Sequence, residues 1–517
     1  MKKSYVWSSI GKLLVIIGVC MMIPVLVGLF YQEEEFKMFL GWGFVTMLTG
    51  LAVWWGLKPE KPKKNHVYLR DSFAIVAYGW IVVTLFSMVP YLLCGTFTLV
   101  ADAFFETMSG YTTVGASVLD DIEGTAKCVL LWRSLTHWLG GMGILVLFVA
   151  LLAGQGTGAM QIFKAESSGP VKSKLHPKMV ETARSLWFIY VLNTTIEILM
   201  MKLAGMTWFD AINHAFSAIA TGGFSTKGKS IGYYDSALID WVTTFCMFIA
   251  GVNYSIFFYA LRTKSLKRFW ESLEFKVYLG VVVVASLIVA ILIFPQYDHN
   301  IFEALRYSFF QVVSIITTTG YITCDFEQWV PAAQLVLVIL LMCGACCGST
   351  TGGIKIDRHV ILAQKAIQEI RRFLHPNMVT RLKSNNTLVD DETVLSVTTF
   401  FYIYMMLIII ASFLMVCLGG QTWDSLTAVM SCIGGVGPCI GSWGPTESYS
   451  SVPYFGKWIL SFLMMIGRLE LYTVLVLFRP FHKKRRHINH ATSVESMEED
   501  GLIEPYLREI NNPHIKM

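Results

Sequence analysis

Ten apolar runs, most of them about 20 residues long, decide what this chain can fold into, because that length matches the hydrocarbon core of a bilayer. They cover residues 13–30, 38–57, 73–93, 129–152, 186–203, 238–261, 275–294, 332–345, 394–418 and 458–478. Hydrocarbon offers no partner to an unpaired peptide group, so runs of this kind must be helical. The chain is 54% hydrophobic and 15% charged, against about 25% charged in soluble proteins. The deficit sits in these runs. An all-α polytopic membrane protein follows. The first run lacks a cleavable-signal pattern and is read as a retained helix.

The net charge of +5 has a location. Basic residues gather in alternate connections: Lys58, Lys61, Lys63 and Lys64; Lys164, Lys172, Lys174 and Lys178; Arg262, Lys264, Lys267 and Arg268; Arg371, Arg372, Arg381 and Lys383; then Lys483, Lys484, Arg485 and Arg486. The connections between them are acidic or neutral, such as Glu33–Glu35 and Asp120–Glu123. The positive-inside rule makes the basic set cytoplasmic, with both termini on that side and about ten crossings. Strict alternation with the spans argues against a nucleic-acid partner. The last cluster is placed to meet lipid headgroups.

Four of the five non-basic connections carry a semi-apolar stretch too short to span. These are ADAFFETMSGYTTVGAS (101–117), FDAINHAFSAIATGGFST (209–226), FEALRYSFFQVVSIITTTGYIT (302–323) and WDSLTAVMSCIGGVGPCIG (423–441). Each starts with an acid suited to a helix N-terminus (Asp102, Asp210, Glu303, Asp424), runs for about three turns and ends in a Thr/Gly strip. Gly115 and Gly437 stand at equal offsets from their acids, Gly222 stands one residue nearer, and Gly320 about one helical turn further, which predicts a longer third helix. At membrane depth such segments are re-entrant half-helices that line a cavity or are buried in protein.

The strips are Thr112-Thr113-Val114-Gly115, Ala220-Thr221-Gly222-Gly223, Thr317-Thr318-Thr319-Gly320 and Gly435-Val436-Gly437-Pro438. A monovalent cation that sheds its water needs rings of oxygen dipoles, and extended backbone supplies them. Glycine permits positive φ and adds no Cβ to the pore, and threonine adds a hydroxyl. The helix end before each strip carries the negative dipole end that favours a cation. The candidate ion-binding residues are Thr112, Thr113, Val114, Gly115, Ala220, Thr221, Gly222, Thr318, Thr319, Gly320, Gly435, Val436 and Gly437. One Thr-x-Gly is a weak signal, and capped glycine-rich loops would give the same letters. Four such strips, each between two spans, predict a pseudo-fourfold pore in one polypeptide. The units are 69–160, 161–265, 266–375 and 376–485, preceded by a helix pair in 1–68 and followed by a tail in 486–517.

These residues resemble the Trk/Ktr/HKT superfamily of cation transporters, and most closely its bacterial TrkH/TrkG branch. The strips match that family's filter segments as TTVGAS, TGGFST, TTTGY and VGP. HWLGGMGILV at 137–146, GAMQIFKAESSGP after it, and GRLEL at Gly467–Leu471 are similar to further family segments. The resemblance covers nearly the whole chain. It implies potassium uptake across the bacterial inner membrane, a homodimer with a pore in each protomer, and a cytoplasmic nucleotide-binding regulator resembling TrkA. A sodium-permeable or weakly selective channel or symporter of the same superfamily is the alternative. The chain departs from the pattern at Val114, Gly435-Val436 and Cys439.

The 332–345 run is too short to span and meets Gly348, Ser349, Thr350, Thr351, Gly352, Gly353 and Lys355 before a helical pattern resumes at 356–370. Mid-span glycines each cost about 1 kcal/mol against alanine, so a broken helix facing a cavity is expected; a plain helix end with a cytoplasmic loop is the rival. The resemblance implies an intramembrane gating loop here. Arg468 stands in the last span, where a charge faces a cavity or a partner. It either opposes ions beneath the strips or pairs with Glu470 or another carboxylate. The first reading has the support of the resemblance. The gate candidates are thus residues 348–353, Lys355 and Arg468.

His137 is expected at a membrane interface and His214 in a helix-supporting hydrogen bond; Glu106 is open to packing or cation attraction. Cys343, Cys346 and Cys347 have no second ligand pair and read as small packed residues. No HExxH occurs; the letters GFSTKGKSIG at 223–232 satisfy both GxSxG and GxxxxGK[ST], but they lie in a connection between two apolar runs with no strand pattern before them, so an embedded enzyme and direct nucleotide energisation are disfavoured. A transporter of organic solutes would need a midplane pocket between two halves, which four equivalent strips do not suggest. No covalently bound or organic cofactor is expected, potassium being the cargo.

Overall fold

Four short buried helices stand side by side, each between apolar ones, in a computed structural model that describes residues 3–57, 69–143, 179–376, 382–384, 387–469 and 471. All of them fall within the unit Met1–Leu477. Among the described residues, six helices are long and apolar enough to cross a bilayer: Ser4–Tyr31, Phe36–Gly56, Phe73–Leu93, Ala183–Leu203, Leu273–Tyr297 and Asp391–Cys417. Their outer faces leave Leu26, Ile291, Ile409 and Phe413 exposed, a surface suited to hydrocarbon. The end of the 129–152 run, the end of the 458–478 run, the basic residues of 58–64 and 164–178, and the tail lie outside the described residues.

The first two helices after the N-terminus, α1 (Lys3–Cys20) and α3 (Phe36–Gly56), with α2 (Met22–Tyr31) continuing α1, pack through small residues. A Cβ on Gly11 would lie 2.7 Å from the Trp54 nitrogen, and one on Gly50 2.7 Å from the Gly11 carbonyl oxygen. In lipid, where the hydrophobic effect does not drive helix against helix, such close backbone approach supplies the packing energy.

Repeat one runs from α4 (Leu69–Ser87) and α5 (Val89–Leu93) through α6 (Val100–Thr112) to α7 (Lys127–Gly141). Repeat two has α8 (Met179–Leu203), α9 (Trp208–Ile219), α10 (Ala237–Ala250) and α11 (Tyr254–Thr263). After a short α12 (Lys267–Glu271), repeat three has α13 (Leu273–Ile293), α14 (Ile301–Ile316), α15 (Pro331–Leu341) and α16 (Ile356–Leu374). Repeat four has α17 (Asp391–Cys417), α18 (Thr422–Gly434) and α19 (Tyr454–Leu469). The strands β1 (Lys383–Ser384) and β2 (Thr387–Leu388) form a small antiparallel pair between repeats three and four. It is a local exception in an otherwise helical chain.

One expected span is not continuous. The apolar run 238–261 divides into α10 and α11, bent by 92° at Gly251–Asn253. Apolar periodicity cannot report such a break, because both halves keep their apolar character; Asn253, whose side chain caps α11 at Ser255, carries the signal.

The short helices α6, α9, α14 and α18 have 13, 12, 16 and 13 residues. The third is longer, as the offset of Glu303 from Gly320 predicts. Each keeps its acid in the first turn, three residues past the N-cap: Leu99 and Asp102, Thr207 and Asp210, Asn300 and Glu303, Gln421 and Asp424. At that depth the acid answers unpaired amides and the positive dipole end. Three of the acids also reach back: Asp102 to Lys457 at 2.6 Å, Asp210 to the Thr226 hydroxyl at 2.6 Å, and Asp424 to the Ser442 amide at 3.0 Å.

Candidate ion-conducting site

Each short helix ends the same way. The amides of Val114, Gly222, Thr319 and Val436 donate back to the carbonyls of Ser109, Ser217, Ser314 and Ser431, at 3.0, 2.8, 2.8 and 3.0 Å. The residues before those amides, Thr113, Thr221, Thr318 and Gly435, have φ of 56°, 55°, 55° and 76°. This is the left-handed C-cap that terminates helices and returns the chain. Three of the four are threonines, β-branched residues for which positive φ is a strained outlier. Glycine would sit there more cheaply.

Two residues further on, Gly115, Gly223, Gly320 and Gly437 again have positive φ, at 81°, 81°, 78° and 98°. This periodicity sets the register. Gly223, not Gly222, is the counterpart of Gly115, and it stands at the same offset from Asp210 as Gly115 does from Asp102. Counting from the acid to the first glycine missed it because the second strip has two glycines in a row. The same register adds Thr317 and Gly434, beside Thr112 and Ala220, at the helix ends.

The strips close on one another in cyclic order. A Cβ on Gly115 would collide with the Gly222 carbonyl, one on Gly223 with the Thr319 carbonyl, one on Gly320 with the Val436 carbonyl, and one on Gly437 with the Val114 carbonyl, 2.5 Å away. Strip one thus abuts two, two abuts three, three abuts four, and four returns to one. Glycine is required at these contacts because any side chain would push neighbouring backbones apart.

Aromatic and charged side chains brace the ring from behind. Glu106 and Arg133, both buried, pair at 2.7 Å; Glu106 also accepts from the Ser117 hydroxyl and the Val118 amide, each at 2.9 Å. That answers the two readings of Glu106 in favour of holding the chain after the first strip. His137 is fully buried rather than interfacial: its Nδ1 lies 3.0 Å from Ser217 Oγ and its ring stacks on Phe224. His214 Nδ1 lies 2.8 Å from the Asp210 carbonyl and Nε2 2.9 Å from Ser225 Oγ, the helix-supporting role expected. Tyr321 donates to the His214 carbonyl at 3.0 Å, and Tyr449 to the Gly437 carbonyl at 2.7 Å. The Gly437 carbonyl is therefore engaged by a side chain.

The third repeat's second span is broken where the glycines stand. The chain leaves α15 at Leu341, and Gly344 donates to Ile354 at 2.8 Å where Cys343 and Ile354 form a parallel bridge, so the loop between them is a closed excursion. It is buried at Thr350, Thr351 and Lys355, unlike a cytoplasmic loop after a helix end. The Gly352 amide donates to Thr318 Oγ1 at 2.8 Å. Thr350 Oγ1 donates to the Ile219 carbonyl at 2.9 Å and lies 3.4 Å from Thr221 Oγ1. A Cβ on Gly352 would collide with the Gly434 carbonyl. The loop thus touches strips two, three and four at their helix ends.

Arg468 links it to the first repeat. One guanidinium nitrogen donates to the Thr350 carbonyl at 2.6 Å, and the other to the carbonyls of Gly140 and Gly141 at 2.7 and 2.5 Å. Gly140 itself packs on the Tyr111 carbonyl. The Lys355 ammonium donates to the carbonyl and, at 2.7 Å, to the hydroxyl of Thr351. Glu470 lies outside the described residues. Cys346 and Cys347 are buried within the loop, and among the described residues no group of three or more His, Cys, Asp or Glu side chains could hold a metal.

A helical membrane protein of four span–half-helix–span repeats in pseudo-fourfold order, with two further helices before them, is the class this fold defines. Residues 37–486 match the TrkH family of cation transport proteins, and the chain belongs to that family. It is 36% identical over 481 residues to the Trk system potassium uptake protein TrkH of Salmonella typhimurium, covering 91% of this chain and 97% of that one. It is 30% identical over 478 residues to the Trk system potassium uptake protein TrkG of Escherichia coli, covering 91% and 96%. The crystal structure of the potassium transporter TrkH from Vibrio parahaemolyticus superposes with a TM-score of 0.83 at 32% identity, covering 93% of this chain and 99% of that one. The family is one of transporters, not enzymes.

Proposed function

We propose that this protein takes up potassium across the bacterial inner membrane through an axial path lined by the four strips. The cyclic closure of Gly115, Gly223, Gly320 and Gly437 on neighbouring carbonyls carries this reading. An ion on the axis of such a ring meets oxygens from all four repeats, and trades its hydration for them. Thr112–Gly115, Ala220–Gly223, Thr317–Gly320 and Gly434–Gly437 are the proposed lining, one strip from each of the units 69–160, 161–265, 266–375 and 376–485. The Gly437 carbonyl, held by Tyr449, and the Ala220 carbonyl, held by the Thr221 hydroxyl, are weaker candidate ligands than the rest.

The 348–353 loop, Lys355 and Arg468 form the proposed gate, and the arrangement described is its closed state. One peptide excursion crosses the helix ends of strips two, three and four, and Arg468 ties it to repeat one. Two cations beside the path, buried Lys355 and half-buried Arg468, also oppose a third. Both termini are read as cytoplasmic. A second copy of the chain and a cytoplasmic nucleotide-binding regulator resembling TrkA are the proposed partners, the regulator acting on the gate.

Growth of a bacterium lacking its own potassium uptake on low-potassium medium tests the function. Rescue by this gene is expected; failure despite membrane expression, with and without the regulator supplied, would overturn it. A sodium-for-potassium competition in the same cells separates the weakly selective alternative.

A further inference from the structure

We infer that the 92° break in the second span of repeat two is the seat of the gate loop, and that Asn253 positions the loop by holding that span bent. This rests on the loop being the gate. At the break the Gly251 carbonyl and the Tyr254 amide do not use the partners a continuous helix would give them, the Ser255 amide and the Ala250 carbonyl. The loop supplies both substitutes: Cys346 donates to the Gly251 carbonyl at 3.1 Å, and Tyr254 donates to the Gly348 carbonyl at 3.0 Å. The third bond comes from Asn253, whose Oδ1 accepts from the Ser255 amide at 2.9 Å. From the opposite side, Glu274 of α13 accepts from the Cys347 amide.

Gly251 is also where the bend meets the filter. A Cβ there would lie 2.6 Å from the Tyr278 hydroxyl, 3.0 Å from Thr317 Cγ2 and 3.1 Å from Ala345 Cβ. The break is wedged between the third strip and the start of the loop.

Withdrawing the loop from a bent span would strand the Gly251 carbonyl and the Tyr254 amide in a buried place, which is unfavourable for backbone groups. A straightened span satisfies both internally. The span therefore has two discrete arrangements, bent with the loop seated and straight with the loop withdrawn, and α11 with its basic end at Arg262 and Lys264 moves with the gate. An element with two such states couples distant sites.

The test is potassium flux through the full-length protein in liposomes, with spin labels at the exposed positions Leu261 and Val284 reporting the bend. Asn253→Ala removes the cap and is expected to raise flux about fivefold, the effect of one N-cap bond, and to add a second distance population. Asn253→Asp, which caps equally well, should restore wild-type flux. Ser255→Pro also removes the amide that Asn253 caps, but it clashes with the Gly251 carbonyl in a straight span and so keeps the span bent without that bond; it should lower flux and abolish the second population. A structural kink alone would leave Ser255→Pro without effect, and that result overturns the inference. Should Ser255→Pro fail to fold, equal flux in Asn253→Ala and Asn253→Asp overturns it. If Arg468→Ala raises flux while the Asn253 and Ser255 variants do not, the seat is wrong and the gate stands; if none changes flux, both readings fall.

Discussion

The guanidinium of Arg468 donates at 2.6 Å to the carbonyl of Thr350, a residue 118 positions earlier in the chain and in another repeat. Three carbonyls from two segments converge on this one side chain. Hydrogen bonds from a charged donor contribute about 1.5–3 kcal/mol each. Arg468→Ala is expected to raise potassium flux in liposomes by about tenfold or more, the smallest shift one such bond would give. Arg468→Lys, which keeps the charge and loses the planar fork, should fall between. Unchanged flux in folded Arg468→Ala protein counts against the clamp.

Gly223→Ala should abolish potassium flux, because the added Cβ collides with the Thr319 carbonyl and φ is already +81°. Gly41→Ala is the matched control. Nothing lies within 4 Å of a Cβ there, and in a helix interior alanine is favoured by about 1 kcal/mol. Flux of Gly41→Ala should equal wild type. Wild-type flux and selectivity in Gly223→Ala would show that the strips do not pack as described.

Glu106 and Arg133 share a buried pair at 2.7 Å behind the first strip. Removing one partner of such a pair costs about 3–5 kcal/mol, since the other charge stays buried and uncompensated. Glu106→Gln should lower the melting temperature in detergent, and Glu106→Ala should lower it further by also losing the bonds to Ser117 and Val118. The melting temperatures, read with flux, distinguish loss of fold from loss of conduction.

Glu327, in the connection after the third strip, accepts from the Gly441 amide beyond the fourth. Burial raises its carboxyl above the usual range, with Asp325, Asp424 and Glu447 adding to the rise and the Gly441 amide opposing it. A group raised in the folded state binds its proton more tightly there. Its contribution to stability is present in full below the unfolded carboxyl's pKa and is lost as pH rises through the folded value. Glu327→Gln is expected to remove that decline, so its melting temperature should gain on wild type as pH rises from about 4 to 7. Parallel pH profiles for the two proteins would contradict this.

Much of the architecture was legible from periodicity and repetition. Long apolar runs have one solution in hydrocarbon, and four acid-to-glycine segments at similar spacing predict four half-helices with matching caps. The length of the third followed from the offset between Glu303 and Gly320. The break at Gly251–Asn253 left no trace in the apolar pattern and only Asn253 as a local sign, because the bend is stabilised by groups from elsewhere in the chain, here the Cys346 amide and the Gly348 carbonyl. The sequence put the second strip's key glycine at Gly222, and positive φ at Thr221 and Gly223 moves it to Gly223. His137 looked interfacial since its neighbours in sequence include Arg133, yet Ser217 and Phe224 come from another repeat and enclose it.

The linear order of residues by itself determined that this protein lives in a membrane, that it is helical, and that it carries one motif four times. Those properties rest on local chemistry: backbone hydrogen bonds with no solvent to replace them, and caps set within a few residues. Tertiary structure alone decided that strip four closes on strip one, that the broken span of repeat three lies across the others, and that Arg468 meets Thr350. Such contacts join residues far apart in sequence, and their energies depend on distances that no local pattern encodes.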